Sequence, residues 1–280
     1  MTKQNRKPIS IVTILLYIFL TALAVFYIAP LLWVIMVALK TDAEIFQDPW
    51  GIPAVFRWQN FVDAWVMAKL GIATFNSVVV CAVALICSLL IGAMAAFSIS
   101  VLKWKGAGIA LTIFLLGMMI PVHTLLIPLF VVFVKVKLNN SLLGLILPYV
   151  SFSLPITIFI LRGFFASLPK ELYEAAFIDG CSIYGCFFKI ALPLAGTGLA
   201  VTGLMTFVGN WNELLVAMVF NSDPLKKTLP VALTAFVSPY STNYTQMFAA
   251  IVIAVLPTIV VYCMFSNKIV SGLTAGAVKG

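Results

Sequence analysis

Apolar residues run almost unbroken through six stretches of this 280-residue chain, roughly 9–39, 72–102, 107–134, 141–166, 191–220 and 246–266. Each is long enough for a helix to cross the hydrocarbon of a bilayer, which takes about 20 residues. A backbone in lipid must satisfy its own hydrogen bonds, so runs of this kind are helices. The pattern therefore predicts an all-α, polytopic membrane protein with six transmembrane helices. The first run exceeds what a span requires, so it tilts, kinks near Pro30 or extends past the interface. Lys3, Arg6 and Lys7 ahead of it, with Ala22-Leu23-Ala24 inside it, imitate a secretory signal. The apolar run continues for another fifteen residues, which predicts an uncleaved first span.

One polar segment between two runs, 167–193, carries a helix signal of its own. Ser167 or Leu168 can cap it, Pro169 suits the first turn, and Glu171 and Glu174 set negative charge near the positive end of the helix. Gly180 stops it. Leu168, Leu172, Ala175 or Ala176, and Asp179 recur along one face, with Tyr173 and Phe177 on another, an anchor pattern suited to a groove. The alternative is that Ala176-x-x-x-Gly180 is an internal packing site of small residues. Ser182 is positioned to cap a second short helix, whose Tyr184, Phe187 and Phe188 would pack it back onto the fifth span, where Pro193 sits at the start.

Composition agrees with the membrane reading: 63% of residues are hydrophobic and 9% charged, against about 45–50% and about 25% in globular domains. With the N-terminus inside, the cytoplasmic segments hold Lys3, Arg6, Lys7, Lys103, Lys105, Arg162, Lys170, Lys189, Lys268 and Lys279. The other side holds seven bases, accompanied by Asp42, Glu44, Asp48, Asp63 and Asp223. That bias places both termini inside. The net charge of +8 then reflects topology, with no nucleic acid as partner. The five cysteines fall in spans or in the 167–193 loop and read as small apolar residues. His123, the only histidine, follows Pro121 in the third run; it is either a proton relay or a residue satisfied by a neighbouring helix or a watery cavity.

Catalysis finds no support. There is no phosphate loop, no His-Glu-x-x-His and no Gly-x-Ser-x-Gly. Asn210, Trp211, Asn212 and Glu213 form a polar knot in the fifth run. Either Glu213 faces water or a polar partner at membrane depth, or the knot sits at the interface, where Trp211 is at home and Glu213 is hydrated.

From about residue 71 onward the chain resembles the inner-membrane permease subunits of binding-protein-dependent ABC importers for sugars, closest to the maltose-type oligosaccharide group. The centre of the likeness is Glu174-Ala175-Ala176-x-x-x-Gly180-x9-Ile190-x-Leu192-Pro193, the EAA loop of that superfamily. Met119-Ile120-Pro121, Leu161-Arg162-Gly163-Phe164-Phe165, Trp211-Asn212-Glu213, Lys227-Thr228-Leu229-Pro230 and the Gly/Ala-rich end Gly272 to Gly280 agree with it; Ser266-Asn267 departs, where the family usually has a glutamine.

The resemblance implies the type I ABC importer permease fold. It divides the chain into a first helix and outer loop (1–70), a permease domain (71–266) with the coupling loop 167–193, and a cytoplasmic tail (267–280). Glu171, Glu174, Ala175, Ala176, Asp179, Gly180, Ile190, Leu192 and Pro193 would couple to an ATP-binding subunit. Asn210, Trp211, Asn212 and Glu213 would belong to the substrate pathway. Pro239, Tyr240 and Tyr244, in the outer loop 221–245, would reach a solute-binding protein, unless that loop is a mere connector.

The implied partners are a second, MalF-like permease subunit, two ATP-binding subunits that hold ATP and Mg, an extracytoplasmic sugar-binding protein, and membrane lipid, in a bacterial or archaeal cytoplasmic membrane. The chain itself binds no cofactor or metal and is no enzyme. An oligosaccharide is the favoured cargo. Glycerol phosphate or another polyol is the alternative within the same architecture, and a stand-alone channel or proton-coupled carrier the alternative outside it.

Overall fold

A computed structural model describes residues 10–238 and 242–277, with the backbone alone at 267–277. Helices follow in the order α1 (Ile11–Ala38), α2 (Asp42–Gln47), α3 (Gln59–Met67), α4 (Leu70–Phe97), α5 (Ala107–Met118), α6 (Leu126–Lys135), α7 (Leu143–Ser167), α8 (Lys170–Ile178), α9 (Ile183–Cys186), α10 (Leu192–Leu194), α11 (Gly196–Trp211), α12 (Leu215–Phe220), α13 (Leu229–Leu233) and α14 (Tyr244–Ala277). No strand occurs among the described residues. Four spans are continuous: α1, α4 with a wide turn that carries it to Leu102, α7, and Tyr244–Ser266 of α14. The third and fifth runs are not the unbroken helices the hydropathy pattern predicts. Ala107–Met118 and Val122–Lys135 meet at 83°, and Ile183–Leu194 and Gly196–Trp211 at 77°; counting each bent pair as one crossing gives six.

Proline explains the first bend; the second turns at Ala195, two residues past Pro193. Pro121 has no N–H for the helix ladder and sits in extended backbone (φ −63°, ψ 116°), so α5 ends before it and a short 3₁₀ turn, Val122–Leu125, starts α6. Ahead of Pro193 the chain widens into a π turn, Phe187–Ala191, in which the Leu192 N–H reaches back to the Phe187 carbonyl. The fifth run then opens again after Trp211, so Asn212 and Glu213 lie between α11 and α12. Pro30, by contrast, is accommodated within α1, which spans 28 residues. Apart from Val37 and Ala38 at its end, none of the residues of α1 is buried.

Contact clustering divides the chain into two units, residues 68–235 with 254–280 and residues 1–67 with 236–253. The larger is organised on α4 and α7. α4 buries a stripe of small residues, Ala73, Ser77, Ala84, Ser88, Gly92 and Ala96, which lets backbones approach closely where lipid supplies no hydrophobic drive to associate. Gly92 is the tightest point: a Cβ there would run into the Thr157 methyl of α7. At one end of the stripe, Asn76 Nδ2 donates to the carbonyls of Leu225 and Lys227, each at 2.9 Å, and Ser77 Oγ accepts the Leu229 N–H at 2.8 Å. The Lys227-Thr228-Leu229-Pro230 block is thereby drawn into the bundle, with Leu229, Val231 and Ala232 buried.

In the smaller unit, residues 39–60 close over the end of α1. Asn60 Nδ2 donates to the Ala38 and Lys40 carbonyls, both at 2.8 Å, satisfying acceptors that a helix end leaves open. Lys40 is 1% exposed and donates to the Asp48 carbonyl. Thr41 and Glu44 form a reciprocal capping box on α2. The Thr41 backbone N–H, its hydroxyl and the Ala54 N–H hold the Glu44 carboxyl below the usual carboxylate range. A lowered pKa means that Glu44 stabilises this segment at every pH above its ordinary value, and that the contribution is lost as pH falls through the lowered one. The protection of amides 41–54 from hydrogen exchange, after division by the intrinsic rate at each pH, should therefore fall on acidification in the wild type, and Glu44→Gln should flatten that pH dependence.

Candidate functional site

The polar segment after α7 folds as the sequence reading places it, with local differences. Leu168 is extended and Pro169 takes the N-cap position, one residue ahead of the first turn. The stop is a paired-bond cap: the Gly180 N–H donates to the Phe177 carbonyl at 3.1 Å and the Cys181 N–H to the Ala176 carbonyl at 2.9 Å, with Gly180 at φ +74°. Ser182 then caps α9, accepting the Gly185 N–H at 3.1 Å.

The faces of α8 differ from the helical-wheel expectation. Tyr173 and Ala176 point into the bundle and are buried, so Ala176 packs internally instead of facing a groove. The Tyr173 ring meets Phe97 edge-on at 6.0 Å, and Phe97 also meets Phe165 at 5.9 Å and Phe187 at 5.4 Å. Phe97 of α4 thus gathers rings from α7, α8 and the π turn after α9. The Tyr173 hydroxyl donates to the Phe165 carbonyl at 3.4 Å, and burial, with Cys186 nearby, pushes its pKa up, keeping it a neutral donor.

What remains outward is polar and apolar together. Glu171, Glu174, Ala175, Asp179 and Gly180 are exposed, and so are Leu172, Phe177, Ile178 (85%), Ile183, Tyr184 (70%) and Phe188. Of the three aromatic residues expected to pack back on the fifth span, only Phe187 is buried. Glu174 borders a groove of about 390 Å³ with Lys103, Lys170 and Phe177. Ile190 and Leu192 are half-buried and Pro193 is exposed, so these three shape the turn into α10.

The polar knot is split by its own geometry. Asn210 and Glu213 line a cavity of about 370 Å³ with His123, Tyr149, Ser153 and Thr206. Trp211 turns elsewhere: its ring stacks on Phe207 at 5.5 Å and its Nε1 donates to the Ala254 carbonyl at 3.1 Å. Asn212 is exposed and donates to the Val208 carbonyl. The partner expected for Glu213 is Tyr149, whose hydroxyl donates to Oε2 at 2.9 Å, while the Val216 and Ala217 N–H groups reach the same carboxylate at 2.8 and 3.1 Å.

In the smaller unit, Tyr244 begins α14 and meets the Phe46 ring edge-on at 5.4 Å; Pro239 and Tyr240 lie outside the described residues. Phe97, Tyr149, Ser153 and Thr206 had no signal in the sequence, being ordinary members of apolar runs. Ile178, Ile183 and Tyr184 had one, as apolar residues in an otherwise polar loop.

The family model described as the binding-protein-dependent transport system inner membrane component matches residues 88–269. The chain is 38% identical over 258 residues to the diacetylchitobiose uptake system permease protein NgcG of Streptomyces coelicolor, covering 91% of this chain and 85% of that one. It is 34% identical to the arabinooligosaccharides transport system permease protein AraQ of Halalkalibacterium halodurans, covering 99% and 100%. Among solved structures, a chain of a bacterial ABC transporter that imports the acidic polysaccharide alginate matches with a TM-score of 0.78 at 20% identity, covering 96% and 99%.

Proposed function

The chain belongs to the binding-protein-dependent transport system inner membrane components, and on that premise we propose that it is the permease subunit of an ATP-driven importer of a sugar, with α8 and α9 as its coupling element. The observation that carries this reading is the exposed apolar face of α8 and α9, with Ile178, Ile183 and Tyr184 standing out of a segment whose other side is anchored on Phe97. Such a face fits a helix-in-groove partner. The partner is a cytoplasmic ATP-binding subunit, one of two, which holds the ATP and Mg. The α8 end of the bundle is accordingly cytoplasmic, and both termini lie on that side, in keeping with the distribution of basic residues.

Coupling follows from rigidity. A subunit that closes on ATP and opens after hydrolysis displaces whatever it grips, and a helix with fixed ends transmits the displacement. Tyr173 carries it to Phe97 and so to α4 and α7, and Phe187 with the π turn carries it to α10 and α11. The family likeness supports a second permease subunit beside this one, MalF-like on the resemblance above, with lipid around the apolar helices. An extracytoplasmic binding protein delivers the cargo. The names of relatives, a trehalose transport system permease of Mycobacterium tuberculosis among them, support a sugar or oligosaccharide over glycerol phosphate or a polyol, with N,N′-diacetylchitobiose, arabinotriose and trehalose as the cargoes to test.

Affinity purification from solubilised membranes should recover a second permease and an ATP-binding subunit. Ile178→Asp should cut the recovered ATP-binding subunit at least tenfold with this chain still inserted, since a charge buried in an apolar contact is costly. Undiminished recovery would refute docking through this face.

A further inference from the structure

Two interruptions of helix and one proline-framed stretch of continuous helix meet around the cavity that holds Asn210. His123 comes from the 3₁₀ turn between α5 and α6, and Glu213 from the break between α11 and α12. Tyr149 and Ser153 come from the stretch of α7 framed by Pro148 and Pro155. Irregular backbone at membrane depth is tolerated where it lines a cavity or is buried in protein.

The donors and acceptors there are unevenly used. Asn210 is 9% exposed; its Oδ1 accepts from Ser153 Oγ at 3.4 Å, but its Nδ2 has no hydrogen-bond partner. Thr206, one helical turn earlier on α11 and 5% exposed, has an unpartnered hydroxyl. Two buried polar groups left open on one wall cost stability unless something polar meets them. Glu213, by contrast, is held by Tyr149 and two backbone N–H groups, which fixes a carboxylate at the cavity. No lysine or arginine lines it.

We infer that this cavity is a subsite for one unit of an uncharged sugar, on this chain itself, with Asn210 Nδ2 and the Thr206 hydroxyl reading sugar oxygens. The chemistry selects the class. Hydroxyls both donate and accept, so a sugar can meet open donors and a carboxylate at once, whereas a phosphate or uronate would meet Glu213 as a like charge with no lysine or arginine to offset it. At about 370 Å³ the cavity is near the small end of the ~300–1,000 Å³ typical of ligand sites, which has room for one sugar ring. The tyrosine and imidazole rings supply apolar faces against which a sugar ring packs. The inference rests on the sugar-importing function proposed above.

The complete transporter is assayed with N,N′-diacetylchitobiose, arabinotriose and trehalose at saturating concentration. Asn210→Leu and Thr206→Val should each lower uptake of the transported sugar at least tenfold, with Thr206→Ser near wild type and the amount of assembled complex unchanged. Uptake within twofold of wild type in both variants would overturn the subsite. Absence of uptake of all three by the wild type would count against the cargo class proposed above, a separate result. A second measurement does not depend on turnover. In open membranes bearing Thr206→Cys, alkylation of residue 206 by a small maleimide, read by mass spectrometry of its peptide, should slow at least fivefold with the transported sugar and not with glycerol 3-phosphate. Equal alkylation with and without sugar overturns the inference, and protection by the phosphate alone overturns its uncharged class.

Discussion

Gly180→Val should cut uptake at least tenfold while the subunit still inserts and assembles, with ATP hydrolysis by the complex released from its dependence on cargo. Gly180 sits at φ +74°, where a side chain costs about 1–2 kcal/mol and a β-branched one more. Nothing crowds the site, so the cost is conformational and not steric. The chain can relieve it only by giving up the left-handed turn, and with it the Cys181-to-Ala176 and Gly180-to-Phe177 bonds that fix the end of α8. Ile178 and Tyr184 then lose their fixed spacing. A coupling element works by holding its geometry under load, so a modest local cost produces a large loss of transport. Gly180→Asn is the control: asparagine tolerates the left-handed region better than other side chains and should retain more uptake than valine. Normal uptake with normally regulated hydrolysis in Gly180→Val would mean that the turn is not part of the coupling path.

Gly92→Ala should act through assembly and not through coupling. An added Cβ meets the Thr157 methyl across the closest approach of α4 and α7, and overpacking of a fitted core costs about 1–3 kcal/mol. Both helices run through the two clusters of buried residues that hold the larger unit together, so neither can shift alone. The expected result is at least a fivefold fall in folded subunit recovered from membranes. Thr157→Ser removes that methyl and keeps the hydroxyl, so Gly92→Ala with Thr157→Ser should restore about half of the loss. A double variant no better than Gly92→Ala would show that the contact is not what limits packing.

Much of this was readable from the chain because membranes make strong demands. Lipid cannot hydrogen-bond a backbone, so long apolar runs mark where helices cross, and they number six when each bent pair counts as one crossing. Gly180 and Ser182 declare themselves because caps are local chemistry, decided within a few residues. The bends after Met118 and near Pro193 were not legible as bends. Proline is tolerated inside α1, α7 and α14 of the same chain, and whether it kinks or breaks a helix depends on what its neighbours offer the freed carbonyls.

The side-chain directions around the two sites had the same character. A helical wheel places Tyr173, Ala176 and Phe177 by angle alone, and only the position of Phe97, 76 residues earlier, decides that Tyr173 and Ala176 are inward and Phe177 outward. Likewise Asn210 to Glu213 is one polar cluster in the sequence. Its division into cavity-facing Asn210 and Glu213, a Trp211 buried against Phe207 and the Ala254 carbonyl, and an exposed Asn212 depends on where α7 lies and where α11 stops. The sequence by itself determined the helices, the membrane setting, the polar loop and the family likeness, all of which follow from local composition and short-range hydrogen bonding. Tertiary structure decided which faces are free to be gripped and which buried donors remain open to a ligand, because burial and hydrogen-bond satisfaction are properties of residues far apart in the chain.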